Sequence, residues 1–398
     1  MGIRKLLLVF IPTLFMVGKS GQAQFINYTT KEGLSSNNIE HISEDDDGSI
    51  YISGYHGLNI FNGTDFTVYN QYNTEGFSNE ISCALPLKKG FVLIGTLDKG
   101  LFLMDKYKQK IVPVNLSSIP SNSTIAISVL FLDRSNNVWI GLKDGRIITF
   151  SSSVVTKQTS SERTIISSLV TKTTMDIKTF VETDHSILAG GNESRITRIK
   201  KEAKNYIIDY PIELLEISQV SSMITLENSL YIGTNRGVFK LDTLTKIDHK
   251  VPVHIEASWK LNSSIIRSIS IHHDNLWVGT EGDGLYKYTP RGKELEHFSY
   301  LENKRNAINS NYALYTLVDS NENLWVGTWF GGINLLNLNE KNYQFVYDSK
   351  SEINLFSNIL WAMAGTPEGD IYLGTHGNGL CKYSPNDKNF VSILNNTE

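Results

Sequence analysis

Cysteine is nearly absent from this chain. Cys83 and Cys381 are the only two in 398 residues, so there is no disulfide framework to read. They do not occupy matching places: Cys83 falls early in its repeat and Cys381 after the glycine turn of a distant one. Two buried thiols are therefore expected rather than a bridge. An excess of one charge is also lacking. The formal net charge is -4, which gives no electrostatic reason to expect nucleic acid as a partner. Beyond the N-terminus no apolar run reaches transmembrane length. No stretch of useful length has a 3.6-residue period, which argues against helical repeats. Gly-x-Ser-x-Gly and Cys–His nucleophile arrangements are missing, as are long linkers and low-complexity tracts. Paired acids for glycoside cleavage cannot be assigned, and no cofactor motif is seen. The chain is read as a non-enzyme without cofactor.

What is present begins with a processing segment. Arg4 and Lys5 precede an apolar stretch from Leu6 to Val17, and Gly21-Gln22-Ala23 puts small residues at a cleavage site. This is the layout of a secretory signal peptide over residues 1–23, cleaved after Ala23. No cysteine follows to carry a lipid anchor. The mature chain is expected to be soluble and exported, with no membrane segment after cleavage.

One phrase then recurs. Asn275-Leu276-Trp277-Val278-Gly279-Thr280 returns as Asn323-Leu324-Trp325-Val326-Gly327-Thr328 and, altered, as Asp370-Ile371-Tyr372-Leu373-Gly374-Thr375. Each is an apolar run, a glycine, a glycine-rich turn and a second apolar run, the pattern of a β-hairpin. The glycine serves as a ruler. It falls at Gly54, Gly95, Gly141, Gly190, Gly233, Gly279, Gly327 and Gly374, at spacings of 41 to 49 residues. In the first repeat the strands are Ile39 to Ile42, Ile50 to Ser53, Leu58 to Phe61 and Phe66 to Tyr69. Four short strands at this period predict an all-β fold, a β-propeller of four-stranded blades with eight repeats. Trp139, Trp277 and Trp325 are assigned to packing between blades, because a blade is covered on both faces. Ser151 to Thr164, rich in Ser and Thr, is expected to be an outer connection between the third and fourth blades.

A propeller hides its edges by letting one terminus complete the blade begun by the other. The lone strand at Phe25 to Thr29 is expected as an outer strand of that kind. Two arrangements stay open: a seven-bladed ring over residues 24–340, with 341–398 as the first blade of a second unit beginning at Tyr343 to Tyr347, or an eight-bladed ring in which Phe390 to Leu394 competes with the lone strand.

The second-to-third strand turns open on one rim. They carry Tyr55 and His56; Leu97, Asp98 and Lys99; Lys143 and Asp144; Asn192 and Glu193; Asn235 and Arg236; Glu281 and Asp283; Trp329 and Phe330; and His376 and Asn378. Aromatic faces stack on sugar C–H groups while polar groups read hydroxyls, so this mixture suits an oligosaccharide. Tyr55, His56, Arg236, Glu281, Asp283, Trp329, Phe330, His376 and Asn378 are the candidate ligand-binding residues. Trp329-Phe330 is the strongest pair, because two large aromatics in a glycine turn have no turn chemistry to explain them. The bland alternative is that these are solvated turn residues. Asp45-Asp46-Asp47-Gly48 lacks the later bidentate acid of a calcium loop and reads as a solvated turn. Similarity to the sialidase Asp-box fails on the phase of its glycine and aromatic. His272-His273-Asp274 has no partner cluster at metal spacing, so no metal is expected.

Gly33-Leu34-Ser35-Ser36-Asn37, Ser43-Glu44-Asp45-Asp46-Asp47-Gly48, the Asn275–Thr280 phrase and Gly282-Asp283-Gly284-Leu285 resemble two-component regulator propeller repeats. The resemblance spans residues 25–398 and is weakest in the fourth repeat. It implies the periplasmic sensor half of a Bacteroidetes-type hybrid two-component system, with glycan fragments as ligands and a homodimer as one arrangement. In that family two seven-bladed propellers precede a small β-sandwich, a membrane helix, a kinase, a receiver and a helix-turn-helix module. This sequence carries the signal peptide and about one propeller plus a blade, without kinase or DNA-binding parts. It reads as a ligand-sensing module; the alternatives are a propeller lyase or glycosidase on the same glycans, or a protein-interaction scaffold.

Overall fold

The computed structural model describes residues 25–120, 123, 125–157, 163–202, 205–214, 217–242, 265–302, 307–339, 360–367, 369–376, 379–384 and 389–394. The signal peptide, Asn378 and the strand expected at Tyr343 to Tyr347 lie outside them. The described residues are all-β, with eight sheets and no α-helix among them. They fall into two compact units, one ending at Asn339 and the other beyond it.

In the first unit the sheets follow one another in chain order. The first comprises Ile39–Glu44, Ile50–Gly54, Gly57–Phe61 and Phe66–Tyr69, each pairing antiparallel with the next. The sixth repeats this order with Ile266–His272, Asn275–Thr280, Leu285–Tyr288 and Glu294–Phe298. The seventh takes Ala313–Val318, Asn323–Thr328 and Ile333–Asn337 from its own repeat, and its outer strand is Ile26–Tyr28, the first described strand of the chain. Ile26 faces Leu335 and Tyr28 faces Ile333 in that pairing. The lone strand therefore does complete the seventh sheet.

The spacing of the glycine ruler has a steric cause. A Cβ on Gly141 would meet Ile177 Cγ2 at 2.5 Å, and one on Gly233 would meet Ile266 Cγ2 at 2.8 Å. In each case the obstacle is the first residue of the next sheet's inner strand. Gly327 continues the pattern onto the first sheet, where a Cβ would meet Ile39 Cγ2 at 2.6 Å. Glycine is required where the neighbouring sheet comes closest. Trp325 accordingly packs in one apolar cluster with Leu34, Ile39, Ile52 and Phe61, and its ring stacks near Tyr28. Trp139, Trp277 and Trp325 are all buried, as expected.

Several expectations are corrected. Ser151 to Thr164 does not link the third and fourth sheets. Its described part lies between the third strand of the third sheet, Arg146–Ser151, and the fourth, Ser168–Lys172. Arg163–Ile165, at its end, adds a parallel fifth strand to the second sheet, on Lys110–Leu116. The fifth sheet has three strands among the described residues, and the stretch after Asp242 where its fourth strand is expected lies outside them, so the four-strand expectation stands untested there. The Asp45–Gly48 turn is not merely solvated. Asp45 accepts hydrogen bonds from the Asp47 and Ser49 amides, from the Tyr51 hydroxyl at 2.8 Å and from Lys106 Nζ at 2.6 Å. The same device recurs at Asp133 and Asp319, whose Oδ2 atoms accept from the indole N–H of Trp139 at 2.9 Å and of Trp325 at 2.8 Å. An acid six residues before the core aromatic thus ties the hairpin turn to the buried strand. Both cysteines are buried and neither forms a disulfide, and burial pushes the Cys83 thiol up to about 12.

The second unit holds a sheet of Leu360–Gly365, Ile371–Thr375, Leu380–Ser384 and Asn389–Leu394. Every residue of its first strand is exposed, including Trp361 and Met363.

Candidate functional site

The turn Thr328–Gly332 is fixed before its side chains do anything. Thr328 closes it by donating Oγ1 to the Gly332 carbonyl at 2.9 Å. Trp329 N–H donates to the Tyr312 carbonyl, and Ser310 Oγ donates to the Trp329 carbonyl at 2.7 Å. The neighbouring sheet holds the other side: Phe330 N–H donates to Asn38 Oδ1 at 2.9 Å and Gly332 N–H to the Asn37 carbonyl. Phe330 sits at φ 69°, a left-handed conformation that costs a bulky side chain, and is 69% exposed. Strain and exposure together are unusual for a residue with only a turn to make.

Three rings cluster here. Trp329 lies 5.7 Å from Phe330 and 6.4 Å from Tyr312, and Tyr312 meets Phe330 edge-on at 6.4 Å. Trp329 is half-buried and its Nε1 is sealed without a hydrogen-bond partner. Tyr312 was not among the residues singled out from the sequence. It precedes the inner strand Ala313–Val318, and the start of that strand shares the rim with the second-to-third strand turns. The Asn-Tyr pair before a strand start was the available signal.

A charged group adjoins the rings. The Glu281 backbone, in the sixth-sheet turn, forms an antiparallel β-bridge with that of Tyr312, and its carboxylate pairs with Arg267 at 3.5 Å. The Tyr55 hydroxyl is held above the ordinary phenol value by burial, then by the charge of Glu40 and a hydrogen bond to it, then by Glu80, while Arg267 acts in the opposite direction. Charges from the first, second and sixth sheets therefore meet around Tyr55.

Glu40 and Arg267 occupy equivalent places. Every inner strand of the first unit carries a register shift at its second residue: Glu40, Ser82, Ser128, Lys178, Ser221, Arg267 and Leu314 are each skipped in pairing. A bulge re-aims the skipped side chain and recurs at rims. Sequence reading missed this set because a bulge leaves no period; the visible trace is a residue, polar in six of the seven, directly after the first apolar residue of each inner strand.

The other expected rim residues differ in their surroundings. Asp283 accepts from the Tyr286 hydroxyl, and His297 Nε2 lies 2.7 Å from its carbonyl oxygen, so it serves its own sheet. Asp98 accepts from Ser78, Lys99 donates to the Phe77 carbonyl at 2.8 Å, and Asp144 pairs with Arg146 at 2.8 Å. Asn192 and Asn235 accept from the Asp176 and Ser218 amides, and Glu193 accepts from Thr174. Leu97 is half-buried, its amide donating to the Glu80 carbonyl. His56, Lys143 and Arg236 are exposed. His376 belongs to the other unit, where its ring lies 5.6 Å from that of Trp361.

No protein-family model and no curated protein matches the sequence. Solved structures do. The extracellular domain of the hybrid two component system BT3049 from B. thetaiotaomicron matches with a TM-score of 0.61 at 19% identity, over 95% of this chain and 50% of that one. The extracellular domain of BT4673 from the same organism, described as a one component system, matches with a TM-score of 0.63 at 17% identity, over 93% of this chain and 54% of that one. At these identities the likeness is one of fold. The chain spans about half the length of those solved domains.

Proposed function

We propose that the chain is the ligand-sensing part of an exported two-component regulator and that its ligand is a glycan fragment. The observation carrying this reading is the ring cluster of Tyr312, Trp329 and Phe330 beside the Arg267–Glu281 pair. Rings give faces for sugar C–H groups, and the adjoining ionic pair gives donors and acceptors for hydroxyls. Tyr55, with Glu40, supplies a second polar edge. The proposed architecture is a seven-bladed propeller over residues 24–340, closed where Ile26–Tyr28 completes the seventh sheet and where Gly327 meets Ile39. In this reading residues 341–398 begin a second unit, and the exposed Trp361 and Met363 support it as a face that a further blade would cover. Signal cleavage after Ala23, periplasmic location and a homodimer belong to the same proposal. The protein acts by binding and not by catalysis.

The test is a glycan array on the purified mature chain, followed by Trp329→Ala. Binding should be lost while the melting temperature stays within a few degrees, since surface changes move stability little. A variant that stays folded and binds unchanged moves the site elsewhere. Bond cleavage in a bound oligosaccharide, read by mass spectrometry, would replace the sensor with an enzyme.

A further inference from the structure

The hairpin turn after Ile266–His272 and the turn before Asn323–Thr328 lie at the opposite end of their strands from the aromatic rim. Sequence alone left His272 and His273 without a third partner. The fold supplies one from the next sheet, Glu322. One ligand atom from each of His272, His273 and Glu322 lies within 4.8 Å of the others. The two imidazole rings are 4.1 Å apart, and His272 Nε2 is 3.7 Å from Glu322 Oε2.

These groups do not satisfy one another. A separation of 3.7 Å is too long for a hydrogen bond, and His272 Nε2 is sealed from solvent with no partner. Leaving a buried imidazole nitrogen unpaired is unfavourable. A cation between the groups removes the conflict. With metal–nitrogen and metal–oxygen bonds of about 2.0–2.2 Å, neighbouring ligands of a tetrahedral ion stand roughly 3.3–3.5 Å apart, close to the 3.7 Å between His272 Nε2 and Glu322 Oε2 and a contraction from the 4.8 Å that bounds the set.

The backbone points the same way. Glu322 sits at φ 59° and His273 at φ 49°. In the matching turns of the first and third sheets the position of Glu322 is taken by Gly48 and Asn136, residues that adopt this conformation more readily. Glutamate is therefore held where local sterics disfavour it, with its carboxylate beside His272.

We propose that His272, His273 and Glu322 form a divalent metal site of the zinc class, joining the sixth and seventh sheets. Two imidazoles and one carboxylate suit late first-row ions, whereas calcium and magnesium prefer oxygen donors throughout. The fourth position is left for water.

The experiment titrates the tag-free mature chain, stripped with chelator, with Co2+ and then Zn2+. One equivalent of Co2+ should develop the visible absorption of a tetrahedral site, Zn2+ should displace it, and Zn2+ should raise the melting temperature. His272→Gln should weaken binding at least tenfold. Glu322→Gly should do the same while folding at least as well as the parent, since glycine suits that backbone. Absence of the cobalt band, or affinity unchanged in the folded Glu322→Gly chain, overturns the site.

Discussion

The sixth and seventh sheets contain the same six residues, Asn-Leu-Trp-Val-Gly-Thr, at Asn275–Thr280 and Asn323–Thr328, and both strands are buried alike. What surrounds them differs. Trp325 donates its indole N–H to Asp319, while Trp277, preceded by a shorter turn with no acid at that offset, has a buried Nε1 without a partner. After the strand, one turn carries Glu281 and Asp283 and the other Trp329 and Phe330. The strand fixes packing, and the turns at its two ends decide which chemistry is presented.

The largest expected effect is on the shared core. Trp325→Ala should cost about 3–5 kcal/mol, read from the denaturant midpoint, because it empties a cluster formed by two sheets. An unmoved midpoint would deny that seam any role in stability.

The seam between the seventh and first sheets should also respond to acid. His41 packs on Tyr315 at 4.6 Å with its Nδ1 sealed, and burial lowers its pKa from 6.5 to about 4. The unfolded chain takes up this proton first as pH falls. The stabilisation is therefore complete above pH 6.5 and is lost on the way down to about pH 4. On the order of 3 kcal/mol should disappear over that window, and His41→Phe should flatten this part of the pH–stability curve.

The paired tryptophans separate hydrogen bonding from volume. Trp325→Phe should be more costly than Trp277→Phe by about 1–2 kcal/mol, since only the first deprives a buried carboxylate of a donor. Equal losses would show that the Asp319 bond contributes nothing. The paired glycines give a comparable contrast. A Cβ at Gly279 meets the Ala313 carbonyl oxygen at 2.6 Å, and one at Gly327 meets a side-chain methyl, Ile39 Cγ2, at the same distance. Both lie in the range of about 1–3 kcal/mol for overpacking, with Gly279→Ala the worse because backbone yields less. The smallest effect belongs to the rim. Phe330→Gly removes a strained, exposed side chain and should leave the melting temperature unchanged or slightly higher while weakening the proposed glycan binding.

Much of the architecture was legible because β-structure writes itself locally. The alternation of apolar runs and turns and the N-terminal strand follow from short-range sterics and burial, and the glycine ruler showed as a recurrence although the side chain that requires each glycine lies in the next sheet. The rim was only partly legible. Trp329 and Phe330 stood out as large aromatics in a turn, whereas Tyr312, Glu40 and Arg267 acquire meaning only when a bulge and a neighbouring sheet bring them there. Asp283, Asp98 and Lys99 looked available in sequence, yet their side chains are occupied by nearby partners.

The sequence by itself determined the succession of strands within a repeat and the burial of the recurrent tryptophans, since these depend on contacts within one repeat or on the mere size of a side chain. Only the tertiary structure decided that Ile26 pairs with Leu335, that Glu281 reaches Tyr312, and that Glu322 stands beside His272. Each of these joins different repeats, and the distance between two repeats is set by how sheets pack, which no single stretch of chain encodes.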